Sequence, residues 1–386
     1  MLYSRRRHGQ TLLPTSARRR IGILTTFDFG SGEASVAWVQ ENLERNGYLT
    51  SGSIQSVTQR PASFLEDGAS FTAKMYELDI DYTPGATGAR PRTALLKLAD
   101  PGFWELGGGR NEVLFYQFAL ETGVPLQIPD CYGFEIDDAA RRTALMLELV
   151  QGNFERLDWA RGERVDHRLL KRMVETMAEL HGAFWGVDVP QKFERSPNSR
   201  AKIDFQIGLV DFYNTVEAFL RRANDFLGAR ERRAFERYAG VFIDRLKDYL
   251  DEGRPQTIVH GDTHVWNFLI PTDEDGPPIL LDWPGWDIDG ATFDLAYGVV
   301  ARANEAIVKH HEADIIAAYR ARLARAGVDY GDDDFWYDYR HAITYSLFTP
   351  IMLAQLVPGM PDLAWQETIA PIMAAMDKHG CWELLN

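Results

Sequence analysis

Cysteine is scarce in this sequence, and long apolar runs are missing from it. Cys131 and Cys381 are the two cysteines in 386 residues. Two cysteines do not make a disulfide framework, and this usage indicates a reducing compartment. Because no run of 18 apolar residues occurs, the sequence predicts no transmembrane helix. We therefore expect a cytoplasmic globular protein with no membrane partner and no implied protein partner.

Positive charge is also in short supply. The chain has 41 Lys and Arg against 56 Asp and Glu, a net charge of −15, which argues against nucleic acid as a partner. Residues 1–20 are the exception, since they hold six arginines and no acidic residue. They lack the apolar segment of a secretory signal. We expect a disordered basic arm here, and an organelle transit peptide is the alternative.

The segment 258–297 is the most informative part of the chain. Its motif HGDTHVWN places His260, Asp262 and Asn267 in the pattern H-x-D-x-x-x-x-N, and Asp282 follows the apolar run ILL. An apolar run that ends in a polar residue is typical of a buried strand that delivers a side chain to a cleft. Phosphoryl transfer needs a carboxylate to orient the attacking hydroxyl and oxygen ligands to hold magnesium. The pattern therefore predicts a phosphoryl-transfer site.

The motif HGDTHVWN, followed by LLDW and a G…DLAY run, resembles the aminoglycoside phosphotransferase and choline kinase-like superfamily, and within it the ecdysteroid-kinase-like group. The resemblance implies a two-lobed, protein-kinase-like α+β fold. It also implies an enzyme that uses ATP and Mg²⁺ to phosphorylate a small organic alcohol. It implies that Asp262 is catalytic and that His260 braces the catalytic loop. Asn267 and Asp282 would bind the metal, and Asp294 would hydrogen-bond the loop backbone.

A lysine and a glutamate upstream fit the same family pattern. Lys97 lies near the end of the predicted strand 93–98, where a lysine is costly unless it is paired. Glu112, in a predicted helix over residues 111–121, is the expected partner. The resemblance implies that this pair holds the nucleotide phosphates. A strand-end lysine that reaches solvent is the alternative.

The remaining nucleotide-binding predictions rest on the resemblance. Ser70, in a turn that follows Gly68, would lie over the phosphates, although an ordinary hairpin turn explains this stretch nearly as well. Glu148 and Val150 lie at the expected hinge between the lobes, where backbone groups would contact adenine. Leu269 completes the predicted nucleotide-binding set.

The order of predicted elements indicates three segments: a basic arm (1–20), an N-lobe (21–150) with an antiparallel sheet and a helix, and a mostly helical C-lobe (151–386). Apolar periodicity predicts helices at residues 34–46, 111–121, 166–185, 205–226, 231–251, 292–303, 305–326, 335–356 and 364–379. Pro350 and Pro371 are expected to kink or end the last two helices.

Two other functions fit parts of the sequence. His260, Asp262 and His264 alternate along the chain, so on a strand they would share one face and could form the metal site of a hydrolase. That alternative leaves Asn267 and Asp282 without a role. A catalytically inactive kinase-like protein that still binds nucleotide or ligand is the second alternative. Trp283 and Pro284 replace the Phe-Gly that follows the metal-binding aspartate of protein kinases, which argues for a small-molecule acceptor.

Aromatic residues suggest a site for that acceptor. The helix predicted over residues 335–356 would carry Trp336 and Tyr339 on one face, and Trp283 and Trp286 lie close to Asp282 in sequence. Such residues give a pocket apolar area with a few polar tips, although an aromatic stripe on a long helix is more often core. From this pattern we rank a hydrophobic alcohol of steroid or terpenoid type first as acceptor, then an amino alcohol, then an aminoglycoside.

Overall fold

A computed structural model of the chain describes residues 26–64, 73–104, 108–155, 165–186, 199–273, 276–357 and 359–386. The chain divides into two units. Unit 1 comprises Met1–Asn153 and Pro271–Gly285, and unit 2 comprises Phe154–Ile270 and Trp286–Asn386. The predicted basic arm, residues 1–20, and the predicted phosphate-binding residue Ser70 lie outside the described residues.

Unit 1 is built on a five-stranded antiparallel sheet in the order β1-β2-β3-β5-β4. A further short strand, β8, belongs to the same unit. The strands are β1 (Ile54–Pro61), β2 (Ala73–Tyr82), β3 (Thr93–Ala99), β4 (Cys131–Asp137), β5 (Arg142–Leu147) and β8 (Ile279–Leu280). The antiparallel sheet predicted for the N-lobe is confirmed, and the strand predicted over residues 93–98 is β3.

Among the described residues of unit 1 are two α-helices. Helix α1 (Val36–Arg45) begins where the Ser35 side chain accepts a hydrogen bond from the Trp38 backbone N–H at 3.2 Å, as an N-cap residue does. Trp38 and Leu43 are fully buried in a core that includes residues of the sheet. Helix α2 (Gly108–Thr122) follows β3 and carries Glu112. Both helices confirm the predictions to within a few residues.

Unit 2 is mostly helical. It also contains the strands β6 (Thr257–Val259), β7 (Phe268–Leu269) and β9 (Asp287–Asp289). Its helices are α3 (His167–Ala183), α4 (Ser199–Asp204), α5 (Phe212–Arg222), α6 (Ala229–Asp251), α7 (Ala291–Ala296), α8 (Glu305–His310), α9 (Glu312–Arg325), α10 (Asp332–Tyr345), α11 (Phe348–Gln355) and α12 (Asp362–Lys378). Short π-helices follow α4 and α7.

Three of the long predicted helices are interrupted, so their predicted lengths were wrong. The helix predicted over residues 305–326 divides at His311 into α8 and α9. The helix predicted over residues 205–226 breaks at Asp211, whose φ of +49° is incompatible with a right-handed helix. The helix predicted over 335–356 divides into α10 and α11. Pro350 lies in the first turn of α11, where a missing backbone N–H costs nothing. Apolar periodicity continues through such breaks because both pieces bury the same kind of side chain.

No helix in the described ranges has the length and apolar character that crossing a membrane requires. The longest helix, α6, spans 23 residues, but charged side chains recur along its sequence ARERRAFERYAGVFIDRLKDYLD. Its buried face packs within unit 2 and its charged face meets water, which is the amphipathic pattern of a surface helix.

Candidate functional site

The predicted catalytic loop, His260 to Asn267, follows strand β6 in unit 2. Strand β6 pairs antiparallel with β9, with Ile258 opposite Ile288, and both of these side chains are buried. The chain leaves the strand at Gly261, which has a φ of +80° that a side chain would disfavour. The strand pair therefore fixes the position at which the loop begins, and Gly261 allows the backbone to change direction directly after the strand.

The Asp294 carboxylate holds the start of this loop. Its oxygens accept hydrogen bonds from the backbone N–H groups of His260 (2.6 Å) and Gly261 (2.8 Å), while its backbone carbonyl accepts one from the Thr263 hydroxyl (2.8 Å). His181 Nε2 lies 3.2 Å from the same carboxylate. Asp294 is 1% exposed, so it needs these partners to be tolerated. The predicted bond from Asp294 to the loop backbone is confirmed.

Asp262 lies at the centre of the loop, among polar side chains. The Tyr297 hydroxyl donates to Oδ1 at 2.7 Å, Asn267 Nδ2 donates to Oδ2 at 3.1 Å, and His264 Nε2 lies 3.3 Å from Oδ2. Burial alone would raise the Asp262 pKa. The neighbouring His264, the Tyr297 hydroxyl and the charge of Arg302 outweigh burial and hold this pKa well below its usual range. The carboxylate is therefore ionised at any physiological pH.

The two loop histidines differ in what they contact. His260 is fully buried, and its Nδ1 accepts a hydrogen bond from the Asp262 backbone N–H at 3.2 Å, which agrees with its predicted bracing of the loop. His264, which has no predicted role, faces the Asp262 carboxylate. Among the described residues, no three His, Cys, Asp or Glu side chains are arranged to hold a metal ion. The hydrolase alternative therefore has no geometric support.

Lys97 and Glu112 form the predicted pair inside unit 1. Lys97 lies in β3 between Met75 of β2 and Leu145 of β5, and it is 6% exposed. Its Nζ is 2.7 Å from Glu112 Oε2 and also pairs with Asp282 Oδ1. Burial would lower the Lys97 pKa, but the two carboxylates raise it well above its usual value. The alternative of a solvent-exposed lysine is wrong.

Helix α2 also fastens the segment that carries Asp282. The Trp283 backbone N–H donates to Glu112 Oε1 at 3.4 Å, and the Trp283 indole stacks on Phe115 with ring centroids 3.6 Å apart. Asn111 Nδ2 donates to the Pro284 carbonyl at 3.2 Å. Asp282 itself has a φ of +62°, a left-handed conformation that Asp and Asn tolerate better than most residues. One helix therefore positions both carboxylates that pair with Lys97.

The other predicted nucleotide-binding residues lie in irregular or short segments. Glu148 follows β5, and its backbone N–H donates to the Asp130 carbonyl at 2.7 Å. Val150 is half-buried, and its backbone makes no hydrogen bond within the described part of the chain. Leu269 is half-buried in β7 of unit 2. Their contacts with a nucleotide stay predictions.

Comparison with known families decides what this arrangement belongs to. A sequence model of the phosphotransferase enzyme family, APH, matches residues 83–335, which is more than half of the chain. The chain belongs to the APH phosphotransferase family. This confirms the predicted superfamily, the enzyme class of small-molecule kinase and, with the elements described above, the predicted protein-kinase-like α+β fold. The finer resemblance to the ecdysteroid-kinase-like group stays a prediction.

Solved structures of other phosphotransferases resemble this APH family member at low identity. An ethanolamine kinase from Plasmodium vivax is 11% identical, with a TM-score of 0.45 over 84% of this chain and 82% of that one. An aminoglycoside phosphotransferase APH(3″)-Id from Streptomyces rimosus, in complex with ADP and streptomycin, is 13% identical, with a TM-score of 0.40 over 76% and 92%. A GDP complex of an aminoglycoside 2′-phosphotransferase-IIIa mutant is 15% identical, with a TM-score of 0.45 over 86% and 93%. Among curated proteins, no sequence matches significantly.

The aromatic pocket expected for the acceptor of this phosphotransferase is not where the sequence pattern predicts it. Phe335, Tyr339, Trp283 and Trp286 are all fully buried. Trp336 stacks on the His379 ring at 5.5 Å instead of facing a pocket. The four fully buried rings are core, as aromatic stripes on helices usually are, and Trp336 is half-buried.

Sequence reasoning missed two residues of this phosphotransferase, Tyr297 and Arg302. Tyr297 is the last residue of the DLAY run, and it begins the π-helix Tyr297–Ala301, at whose end lies Arg302. A π-helix advances the chain differently from an α-helix and is often found at functional sites. The DLAY run was the available hint, but nothing in it shows that the Tyr297 hydroxyl reaches Asp262.

Proposed function

We propose that this protein transfers the γ-phosphoryl group of ATP, in a magnesium-dependent reaction, to a hydroxyl of a small organic molecule. The observation that carries the proposal is the environment of Asp262. Its side chain is 40% exposed, so an acceptor can reach it. Neighbouring side chains fix its direction and keep it ionised, as a group that orients a hydroxyl requires.

The acidity of Asp262 indicates how it would act. A carboxylate with a depressed pKa is a weak base, so early removal of the hydroxyl proton is disfavoured. Phosphoryl transfer passes through a loose transition state in most analyses. The acceptor hydroxyl therefore does not need to lose its proton before its oxygen bonds to phosphorus. Asp262 would therefore orient the acceptor hydroxyl. The hydroxyl oxygen bonds to the γ-phosphorus as the bond from this phosphorus to the β,γ-bridging oxygen breaks, and ADP leaves. The hydroxyl proton passes to Asp262 late.

Asn267 and Asp282 are the proposed magnesium ligands, because amide and carboxylate oxygens are hard donors of the kind this ion prefers. Asn267 Nδ2 donates to both the backbone carbonyl and the side chain of Asp262. The Oδ1 atom of Asn267 is therefore the one that would bind magnesium. When bound, magnesium neutralises charge on the phosphate oxygens. Lys97, held by Glu112, would bind those phosphates as well.

Glu148, Val150, Leu269 and Ser70 are proposed to contact the nucleotide. The support differs among them. Among the described residues, nothing hydrogen-bonds the Val150 backbone, which fits a hinge residue that binds adenine. The other three rest on the family pattern alone.

The decisive experiment is Asp262→Asn, tested against a library of hydrophobic alcohols, amino alcohols and aminoglycosides. Asparagine keeps the shape and can still accept from Tyr297, so folding and ATP affinity should be retained. Turnover should fall about 10²–10⁴-fold, the usual cost of losing such a group. ADP release with product mass confirmation measures turnover, and calorimetry with ATP and with GTP measures nucleotide binding.

Asp314→Asn is the matched control. Asp314 is an exposed carboxylate that pairs with Lys171 at 3.1 Å in the same unit, so its loss should leave both readouts unchanged. If Asp262→Asn keeps wild-type turnover, the role of Asp262 is wrong. If the wild-type protein binds ATP but phosphorylates nothing in a broad library, the inactive, ligand-binding alternative gains.

A further inference from the structure

A cavity of about 400 Å³ opens in unit 2 beside the catalytic loop. Trp266 of the loop forms one wall, Ala301 to Glu305 form a second, and Met360 with one side of α12 forms a third. Most of the lining is apolar, including Ala364 and Pro371. Cavities of this volume with a few polar groups are typical of sites for small organic ligands.

Arg302 gives this apolar cavity its charge. Within the described part of the chain its guanidinium has no ion-pair partner, and its Nε is buried without a hydrogen bond. The guanidinium carbon lies 5.9 Å from the centre of the Trp266 ring and 6.0 Å from that of the Tyr297 ring. A buried donor of this kind is costly unless a ligand satisfies it.

The acidic residues of the cavity wall are already engaged. Glu305 pairs with Lys309 at 2.6 Å, and Glu367 also interacts with another residue. Arg302 acts on Asp262 through its charge, without a direct hydrogen bond to it, and Asp262 already contacts other donors. Among the described residues that line the cavity, Arg302 is therefore the cationic side chain, in a chain whose net charge is −15.

We propose that this cavity binds the acceptor, and that the acceptor is a hydroxylated compound with an apolar body and a carboxylate group. The apolar body would lie against Trp266 and Met360, and the carboxylate would pair with the fork of Arg302 N–H groups, which matches carboxylate geometry. A polycation would place ammonium groups against a guanidinium. This inference rests on the proposed function, since it assigns the acceptor of that reaction.

Position supports the assignment as strongly as charge does. Tyr297 contacts Asp262 through its hydroxyl and Arg302 through its ring, and Trp266 belongs to the same loop as Asp262. The wall of the cavity and the Asp262 carboxylate are therefore linked through Tyr297 and through the loop that carries Trp266. A carboxylate anchored at Arg302 would hold the body of the acceptor while a hydroxyl elsewhere on it approaches Asp262, which is the positioning that transfer requires.

Binding of a matched series to the full chain tests the charge preference without turnover. The probes are 4-phenylbutanoate, 4-phenylbutanamide and 4-phenylbutylammonium, which share one apolar body and differ in charge. Protein labelled with 5-fluorotryptophan reports where they bind, through the Trp266 fluorine resonance assigned with Trp266→Phe. We expect the carboxylate to bind about tenfold more tightly than the amide, as a charge-assisted hydrogen bond does over a neutral one, and the ammonium to bind most weakly.

Variants separate the two contacts. Arg302→Gln should remove the preference for the carboxylate over the amide, and Arg302→Lys should keep part of it. Trp266→Ala lacks the reporting tryptophan, so its binding is measured by calorimetry, and it should weaken all three probes alike. Arg322→Gln is the control, because Arg322 pairs with Glu179 at the surface of the same unit and should not affect any probe. Equal affinity for carboxylate and amide, a preference for the ammonium, or an unchanged preference in Arg302→Gln would overturn the inference.

Failure of this inference is distinguishable from failure of the proposed function. ATP-dependent phosphorylation confined to neutral or cationic alcohols leaves the phosphotransferase proposal standing and overturns the acceptor assignment. A carboxylate preference that depends on Arg302, in a protein that neither binds ATP nor transfers phosphate, supports the binding site and overturns the proposed reaction.

Discussion

Replacing Glu112 by glutamine tests whether the buried ion pair in unit 1 serves nucleotide binding or only stability. Glu112 is 2% exposed and its Oε2 lies 2.7 Å from Lys97 Nζ. Breaking a buried pair by removing one partner typically costs about 3–5 kcal/mol. Here Lys97 keeps Asp282 as a partner, and glutamine still offers an oxygen to Lys97 and to the Trp283 N–H. We therefore expect a smaller loss of unfolding free energy, about 2–3 kcal/mol.

The effect on ATP binding should be larger than the loss of stability suggests. Without the Glu112 charge, Lys97 is drawn towards Asp282, the remaining carboxylate, and away from the position in which it would bind phosphate. We expect the Kd for magnesium-ATP, measured by calorimetry, to rise roughly tenfold, because losing one well-placed charged contact costs about 1.4 kcal/mol or more. Urea unfolding of the same samples gives the free energy of unfolding.

Glu77→Gln is the matched control for this experiment. Glu77 is also buried in unit 1, at 5% exposure, and it binds Arg60 at 2.6 Å and the Ser63 backbone N–H at 2.8 Å. It should lose stability without a change in ATP affinity. If Glu112→Gln destabilises the protein but binds magnesium-ATP as tightly as Glu77→Gln does, the pair is structural and Lys97 is not the phosphate-binding lysine.

Two further substitutions test the proposed metal ligand and the missed tyrosine. Asp282→Asn should remove the magnesium-dependent gain in ATP affinity. It should keep the local backbone, since asparagine tolerates the φ of +62°. Calorimetry with and without magnesium measures the gain, and a full magnesium enhancement in the variant excludes Asp282 as a ligand. Tyr297→Phe should lower kcat about tenfold by freeing the Asp262 side chain and leave ATP affinity unchanged. The control Tyr339→Phe removes a buried hydroxyl that donates to Glu312 at 2.8 Å and should reduce stability alone. Equal kcat values for the two tyrosine variants would refute the role of the Tyr297 contact.

The parts of the site that could be predicted from sequence are those whose reason is local. A lysine inside an apolar strand must be paired, so the position of Lys97 in the sequence TALLKL already predicts a buried carboxylate beside it. The residues from His260 to Asn267 directly follow a predicted strand, so the sequence predicts that they form one loop. Asp294 was expected to bond the loop backbone from the family pattern, and the buried carboxylate does so at two successive N–H groups.

The acceptor side could not be predicted because its contacts depend on backbone geometry that composition does not encode. The π-helix Tyr297–Ala301 sets which side chains turn towards Asp262, and the sequence AYGVVAR carries no residue type that requires it. The aromatic residues of the predicted helix over 335–356 led to a wrong prediction of the acceptor pocket for a different reason. Large rings that fill a core and rings that line a pocket have the same periodicity, and burial alone separates Phe335 from Trp266.

The residue after Asp282, the proposed metal ligand, shows how one departure from the kinase pattern changes what the fold can do. Trp283 is fully buried against Phe115, and its backbone N–H reaches Glu112. Helix α2 therefore holds the Asp282 segment through three separate contacts: a ring stack, a bond to Glu112 and a bond from Asn111. In protein kinases, activity depends on whether the lysine–glutamate pair and the metal-binding aspartate are both in place. Here an outward shift of α2 either carries Glu112 and the Asp282 segment along with it or must unstack a fully buried indole, which costs several kcal/mol. We infer that such an enzyme is suited to constitutive activity, and the proposed acceptor cavity would then set its selectivity.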